Sequence, residues 1–480
     1  MNTLSMQKWL WFSSGLFLVL TAICIYFEFY YIALLPAALA VVWAAFFRIE
    51  WLYYLVVFFT PLSLNLEEMK IGGVGMYLPT EPLLFGMLLV FIFKVVSGKS
   101  IDKKIFTHPV SYFIYAYLGW MILSTITSQM PLVSAKFVIT KMWFIASCYF
   151  LAVHLFQKAI NTKAFFIAYM IPLCGVVIYA VTRHAEFGFD KESAHWVMEP
   201  LYKDHTSYGA VLAMYFPIAL GLLFLKNLSL IQRSFLMVVF LILTIGLVLS
   251  FTRAAWVSVV GAAVVLIIMQ TRVKLSTLVI TGAVASILVL FSWEQIQIAL
   301  ESNKQESSDD LDEHVSSISN VSSDASNLER LNRWNCAIEM FKEKPVMGWG
   351  PGTYQFFYAP FQRAEDLTII STKSGDGGNA HSEYLGPLSE QGVMGMALMV
   401  VLLLMVCHYG FKLYYRTKSF EMRLLGMISF MGLLTYFIHG VLNNYLDTDK
   451  ASIPFWGFIA VMVAIDLYWL PLEEAARKNS

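Results

Sequence analysis

Apolar segments about as long as a lipid bilayer is thick recur along almost the whole chain. A helix crosses the hydrocarbon core with roughly 20 apolar residues, and about fourteen segments of the 480-residue chain approach that length. Hydrophobic residues make up 58% of the chain and charged residues only 14%, which lies outside the soluble globular range. We therefore expect an all-α polytopic membrane protein with about 12–14 transmembrane helices. The segments lie near 9–27, 29–47, 51–65, 79–97, 109–127, 134–156, 163–182, 206–225, 232–251, 254–271, 274–293, 387–410, 421–441 and 451–471.

Charge and cysteine content exclude several classes of protein. The 33 basic and 33 acidic residues cancel, so the chain is not a strongly cationic nucleic-acid binder. Four of the five cysteines lie in apolar segments, which argues against a framework of disulfides or metal ligands. The first apolar run has no small-residue cleavage site after it, so we interpret it as a retained span rather than a signal peptide.

The distribution of Lys and Arg predicts which end of each span faces the cytoplasm. Basic residues concentrate in every second gap between the apolar segments, and such gaps are cytoplasmic by the positive-inside rule. Both termini are then cytoplasmic, and the long loop 294–386 lies on the outer side. The chain thus divides into a bundle of about eleven spans at 1–293, the loop at 294–386, and C-terminal spans with a short tail at 387–480.

The long loop has two parts of different composition. Residues 302–327 are dominated by Ser, Asn, Asp and Glu, cannot bury enough apolar surface to fold, and predict a flexible tether. The remainder, 328–386, is predicted to be ordered. Apolar residues recur at helical spacing from Leu328 to Phe341, which predicts an amphipathic helix on the outer membrane face. Glycines then alternate in GWGPG, around Gly350, and suit tight turns whose amides could face an anion.

Several arginines and histidines are predicted to lie on the outer side, where the positive-inside rule disfavours arginine. Any one of these arginines could simply contact lipid headgroups or form a surface ion pair. The loop 294–386, however, contains seven Lys and Arg against fifteen Asp and Glu, a net charge of −8. An anionic ligand must therefore be held by a few placed arginines, whose forked guanidinium suits a diphosphate. The candidates are Arg183, Arg253, Arg330 and Arg333.

Other polar residues have both a structural and a functional interpretation. His381 precedes a span, where a lone histidine is more often a structural residue or cap, yet histidine is the usual proton acceptor near neutral pH. Glu383 could orient it. Glu81, Lys136 and Lys141 lie within spans at similar depth and predict a structural ion pair. The DTD triplet at Asp447 resembles a metal-binding DxD, but sugar binding or solvation suits an outer turn better.

Two stretches carry a resemblance to a known family. The run RLNRWNCAIEMFKEKPVMGWGPGTYQFFY, followed by AHSEYLGPLSEQGVMG, is similar to the C-terminal signature of the O-antigen ligase and O-antigen polymerase superfamily. His381 and Gly392 keep the spacing found in the ligases. The chain departs from the pattern in having Ser382 where many relatives have Asn, and Trp334 where ligases often have Leu.

The resemblance implies a glycosyltransferase of the bacterial inner membrane with a GT-C-like architecture. Such an enzyme moves a glycan from undecaprenyl diphosphate to a sugar hydroxyl of lipid A-core, or of another glycan acceptor, at the periplasmic face. His381 would then be the base, and Arg253 with Arg330, Arg333 or both would clamp the diphosphate. We expect neither a metal nor a cofactor, because arginines can neutralise the leaving group. Arg183, His205, Glu383, Gly350 and Asp447 are the candidates for substrate binding.

Three alternatives stay open. A polymerase that joins lipid-linked repeats and a protein O-oligosaccharyltransferase would use the same motifs. A polysaccharide transporter would instead be expected to show an internal repeat and broken helices that meet at mid-membrane. The polar residues here cluster toward the outer side, which favours a transferase.

Overall fold

A computed structural model describes residues 3–28, 35–66, 75–98, 101–271, 277, 280–282, 284, 325–363 and 377–478. The predicted all-α class is confirmed. Numbered along these residues, the helices are α1 (Thr3–Tyr26), α2 (Leu35–Phe47), α3 (Ile49–Phe59), α4 (Thr80–Val96), α5 (Lys103–Phe106), α6 (Pro109–Ile126), α7 (Pro131–Ile145), α8 (Ala152–Leu155), α9 (Ala159–Glu186), α10 (His205–Leu222), α11 (Leu230–Leu249), α12 (Arg253–Gln270), α13 (Ala325–Glu343), α14 (Tyr354–Phe357), α15 (Leu385–Arg416), α16 (Phe420–His439), α17 (Asp449–Ala464) and α18 (Leu470–Lys478).

Short elements interrupt and connect these helices. Two-residue strands, β1 (Leu64–Asn65) and β2 (Tyr77–Leu78), pair antiparallel with Leu64 opposite Leu78. The 3₁₀ turns are Thr60–Leu62, Ser193–His195 and Ala359–Phe361, and π-helical turns occupy Ala146–Leu151 and Ile465–Trp469.

Eight helical segments of the described part are long and apolar enough to cross a membrane, and up to nine if a bent helix pair counts as one span. Each predicted segment except 274–293 overlaps a described helix. That segment lies outside the described residues apart from 277, 280–282 and 284. The third predicted span is short, since α3 ends at Phe59 and the 3₁₀ turn containing Pro61 follows.

The described residues form two compact units, 1–55 and 56–480. The second unit contains every candidate site residue. Its core is built on α16 and α17, which are apolar on all sides and are buried on nearly all sides. Gly432 permits this packing, because a Cβ there would lie 2.7 Å from the Phe458 ring of α17 and 2.8 Å from the carbonyl oxygen of Met214 in α10.

The helix predicted in the long loop is confirmed as α13, but its buried face differs from the prediction. The apolar positions Leu328, Leu331 and Trp334 are only partly buried. The buried positions include Glu329 and Arg333. Because these two side chains form an ion pair, both charges can lie on the buried face of α13. There α13 packs on a small core of Cys336, Ala337, Met340, Tyr354, Tyr358 and Ala380.

The predicted domain boundaries fall only partly within the described residues. The predicted boundary between 293 and 294 and the tether at 302–327 lie outside them, except that Ala325–Asn327 form the first residues of α13. The boundary between 386 and 387 falls within the first turn of α15.

Candidate functional site

A break in α15 fixes the segment that carries His381. Gly392 lies inside this helix with φ 69° and ψ −165°, a backbone conformation that favours glycine. A Cβ at Gly392 would lie 2.1 Å from the carbonyl oxygen of Val346. The segment that leads from α13 into the glycine loop (residues 348–354) can therefore approach α15 only because residue 392 is glycine. The break separates a short helical stretch that follows His381 from the long apolar part of α15.

The amides of the glycine loop bind a carboxyl group of the chain itself. The carboxylate of Glu390 accepts the backbone N–H groups of Gly352 and Tyr354, both at 2.9 Å. Gly350 donates its own amide to the Glu390 carbonyl oxygen at 2.8 Å. The amide of Gly350, predicted as part of a substrate site, is thus engaged with α15.

His381 lies in the turn that precedes α15 and is partly buried. Its amide donates to the side-chain oxygen of Asn379 at 3.1 Å, and its carbonyl accepts the indole N–H of Trp334 at 3.2 Å. Burial first, and then the positive charges of Arg330 and Arg333, lower the pKa of His381 to about 4. The imidazole is therefore neutral at pH 7 and has the capacity to accept a proton.

The two arginines of α13 have different surroundings. Arg333 is buried, its Nε lies 2.7 Å from Glu329 Oε1, and its guanidinium carbon lies 4.1 Å from the centre of the Tyr358 ring. Arg330 is only partly buried, and its charge acts on His381, His439 and Tyr445. The charges of both arginines therefore act on His381. We refer to Arg330, His381, His439 and Tyr445 as the polar cluster.

Arg253 begins α12 beside the start of α10. Thr252, the N-cap residue of α12, donates its hydroxyl to the His205 carbonyl at 2.8 Å rather than capping the helix. His439, at the end of α16, faces the backbone of Ala254. The ends of three helices thus meet around the first turn of α12, where the helix dipole and the Arg253 guanidinium both favour an anion.

His205 is the first residue of α10 and has an aromatic neighbour. Its ring stacks on that of His195, with centroids 4.2 Å apart and planes 14° apart. The preceding residue, Asp204, caps α10 by accepting the Ser207 amide at 2.7 Å. The charge of Asp204 acts on His381, so the start of α10 belongs to the same polar cluster.

Glu383 fixes the His381 turn to the turn after α16. Its Oε1 accepts the Tyr436 hydroxyl at 2.5 Å and the amides of Tyr445 and Leu446 at 2.8 and 2.9 Å. Burial, followed by the charge of Asp447, raises the pKa of Glu383. This residue acts as a structural tie close to the candidate base.

Arg183 is bound to its own loop. Its Nη1 donates to the Tyr179 hydroxyl at 2.9 Å and to the carbonyl oxygens of Val197 and Glu199 at 3.0 and 2.6 Å. The guanidinium also lies over the Trp196 ring. These contacts hold the loop after α9 and give Arg183 a structural role.

Of the two lysines predicted as possible partners of Glu81, Lys141 pairs elsewhere, while the charge of Lys136 acts on Glu81. Lys141, 4% exposed, lies 2.8 Å from Asp447 Oδ1, whereas Glu81 accepts the Tyr77 amide at 3.2 Å. The pattern of charges along the chain identified the buried lysine but not a partner 306 residues away.

The two aspartates of the DTD triplet also differ. Asp447 is 51% exposed at its side chain, while Asp449 is fully buried and accepts the Thr80 hydroxyl at 2.5 Å. Among the described residues, no group of three or more His, Cys, Asp or Glu side chains could hold a metal ion.

Sequence reasoning identified Asp447 in the turn after α16 but missed His439 and Tyr445. His439 is buried, its Nε2 lies 3.1 Å from the Asn443 amide nitrogen, and its ring lies 6.0 Å from that of Tyr445. The signal in the sequence was the polar stretch HGVLNNYLD at the end of an apolar segment.

Comparison with known proteins bears on the segment that contains these residues. A search of curated proteins gave no significant match. A family model described as O-antigen ligase matches residues 238–400, which include Arg253, Arg330, Arg333, His381 and Gly392. The match supports an enzyme of the ligase or polymerase type, with lipid-linked glycan substrates and a membrane environment. Residues 238–400 are therefore similar to the O-antigen ligase family, and the resemblance to that superfamily is confirmed.

Proposed function

We propose that the protein transfers a glycan from undecaprenyl diphosphate to a sugar hydroxyl of lipid A-core. The observation that carries this proposal is that the charge of Arg330 acts both on the neutral imidazole of His381 and on His439, which faces the backbone of Ala254 in the first turn of α12. A base that is unprotonated at neutral pH suits a hydroxyl nucleophile. Fixed cations suit a diphosphate leaving group.

The reaction needs one proton transfer and one exchange of bonds. His381 takes the proton of the acceptor hydroxyl while the hydroxyl oxygen forms a bond to the anomeric carbon. The bond from that carbon to the diphosphate oxygen breaks, and the electron pair leaves with the diphosphate. Arg330 and Arg253 stabilise the charge that develops there, and their forked guanidinium groups can each donate two parallel hydrogen bonds. No step requires a metal, so activity should persist in chelator.

The other candidate residues support this arrangement in different ways. Glu383 holds the His381 turn, and Arg333 holds α13 through Glu329. His205 lies beside the start of α12 and is a candidate for contact with the glycan. Asp447, half-exposed beside the turn that Glu383 fixes, is a second candidate for sugar contact.

We place the site at the periplasmic face of the inner membrane, with both termini in the cytoplasm. The distribution of basic residues supports this orientation. A topology reporter fused near Asn320 should be active only outside the cytoplasm, and fusions near Lys103 and Arg416 only inside. A cytoplasmic signal at Asn320 would place every proposed site residue on the wrong side.

Deletion of the gene separates the ligase from its alternatives. Loss of a ligase should leave long glycan accumulated on its lipid carrier, because assembly continues while transfer stops. Accumulation of single repeats would indicate the polymerase. Normal lipopolysaccharide together with unglycosylated protein would indicate the oligosaccharyltransferase.

A further inference from the structure

The start of α10 brings a carboxylate, Asp204, to the polar cluster, and the proposed reaction has not used it. Its Oδ1 accepts the Ser207 amide and the Thr206 hydroxyl, both at 2.7 Å. The amide bond caps α10, and neither donor is charged. Asp204 is partly buried. Burial raises its pKa, but these hydrogen bonds and the charge of the adjacent His205 outweigh that effect, so that the pKa of Asp204 is lowered and the carboxylate keeps its charge.

Hydrogen bonds connect Asp204 to the turn that carries His381. Thr206, bound to Asp204, also bonds the hydroxyl of Tyr445. The amide of Tyr445 donates to Glu383 Oε1 at 2.8 Å, and Glu383 is two residues after His381. Because each bond in this series is buried or partly buried, the start of α10 and the His381 turn are held at a fixed separation.

The main charges that act on His381 include those of two elements. From α13 come Arg330, Arg333 and Glu329, and from the start of α10 comes Asp204. Glu329 lies 2.7 Å from Arg333, so these two charges largely cancel at the imidazole. The two remaining charges have opposite effects on the pKa of His381: Arg330 lowers it, and Asp204 raises it.

We propose that Asp204 is a positioning residue of the transfer reaction, which stabilises the imidazolium of His381 as that residue takes the proton of the acceptor hydroxyl. The inference rests on the proposed function, in which His381 is the base. The proton passes from the hydroxyl to the imidazole and later to solvent, while Asp204 remains ionised. Its carboxylate opposes the Arg330 charge, which would otherwise make His381 a weaker base.

The variant Asp204→Asn tests this role without removing the helix cap. Asparagine caps helices as well as aspartate does, so the bond from the Ser207 amide should persist while the charge is lost. We expect kcat at neutral pH to fall roughly tenfold, and the acid limb of the kcat profile to move about one unit toward lower pH. The donor KM should change little, because Asp204 does not bind the diphosphate.

Asp190→Asn is the matched control. Asp190 lies in the same loop and accepts the Ser193 amide at 2.6 Å, so this variant also removes a carboxylate charge that accepts a backbone amide. The Asp190→Asn variant should leave kcat and the pH profile unchanged.

Asp204→Ala removes cap and charge together and should lower the melting temperature more than Asp204→Asn does.

The outcomes separate this inference from the proposed function. If His381→Ala is inactive while Asp204→Asn has the kcat and acid limb of the unmodified enzyme, the role of Asp204 is wrong and the role of His381 stands. If His381→Ala is fully active, the proposed base itself is wrong. A loss of activity in Asp204→Asn with an unshifted acid limb would also overturn the inference, because it would show a purely structural effect.

Discussion

Two polar regions flank the start of α15, and they use their charges differently. In the glycine-loop region (residues 348–354 with Glu390), one carboxylate is matched by two backbone amides of the same chain. In the histidine region (Arg330, Arg333 and His381), burial and then the charges of the two arginines keep the imidazole neutral. In the first region the carboxyl group is fully used in binding the chain itself, whereas the second region places the charge of Arg330 beside a neutral proton acceptor.

The difference separates residues that hold the fold from residues that can act on a substrate. A buried carboxylate that accepts two amides stabilises the approach of a loop to a helix. A neutral base beside arginines is poised for a reaction in which negative charge arrives or develops. In a sequence, a glycine-rich loop and a pair of arginines both suggest anion binding. In the structure, only the histidine region places arginines together with a possible base.

The largest expected effect is on turnover in His381→Ala. Loss of general-base assistance should reduce kcat by roughly 100- to 10,000-fold, because the acceptor hydroxyl is a weak nucleophile. Donor binding should be nearly unchanged, since the diphosphate contacts are elsewhere. The check is a transfer assay with purified enzyme and lipid-linked donor, with His408→Ala as the control at an exposed histidine in the long part of α15. Normal turnover in His381→Ala would return this histidine to a structural role.

The second expected effect separates the two arginines of α13. Arg330→Ala should raise the donor KM and lower kcat by roughly 100-fold, and Arg330→Lys should restore little because a point charge lacks the fork. Arg333→Ala should instead destabilise the protein by about 3–5 kcal/mol, because Glu329 would stay buried without its partner. Kinetics and thermal unfolding of the variants measure both. Equal effects of the two substitutions on donor KM would contradict the distinction.

The third prediction concerns the glycine-loop region. In Glu390→Gln one of the two amides, of Gly352 or Tyr354, loses its acceptor, so we expect a destabilisation of about 1–3 kcal/mol. Activity per folded molecule should fall far less than in His381→Ala. Thermal unfolding and transfer assays on the same preparation provide the comparison. A kinetic defect as large as that of His381→Ala, without loss of stability, would assign this region to the reaction.

The smallest expected effect is a shift in pH dependence. The acid limb of kcat/KM should lie near pH 4 rather than near the ordinary histidine value of 6.5, because burial and the arginines disfavour the imidazolium in the free enzyme. The limb of kcat should lie higher, since bound diphosphate offsets the arginine charges. Between pH 4 and 6.5 the unfolded chain binds the proton that the folded chain does not, so stability should rise with pH across that window. A limb of kcat/KM at 6.5 would contradict the burial of His381.

The sequence predicted the helices better than it predicted their contacts. Apolar length predicted where the long helices lie, although eight or nine of them in the described part are candidates to cross a membrane rather than the about 12–14 expected of the whole chain. Helical spacing identified α13. The same spacing failed to predict which face of α13 is buried, because ion pairing allows Glu329 and Arg333 to enter the interior. Apolar periodicity does not report such pairing.

Long-range partners were the other part that the sequence did not predict. The anion of the glycine loop is Glu390, whose carboxylate meets an amide 38 residues away, and Lys141 meets Asp447 across 306 residues. His439 joins the candidate site because α12 and α16 pack together. Such encounters depend on how helices pack, which a single sequence does not encode in any local pattern.

The most direct test of the account is a structure of the full-length enzyme with undecaprenyl diphosphate, the released product, bound in a lipid nanodisc. We predict that the phosphate oxygens contact the guanidinium groups of Arg330 and Arg253 near the start of α12, with His381 on the side where the glycan would be attached. A diphosphate bound at Arg183, or anywhere that leaves Arg330 and His381 without contact to ligand, would contradict the central claim that these residues form one transfer site.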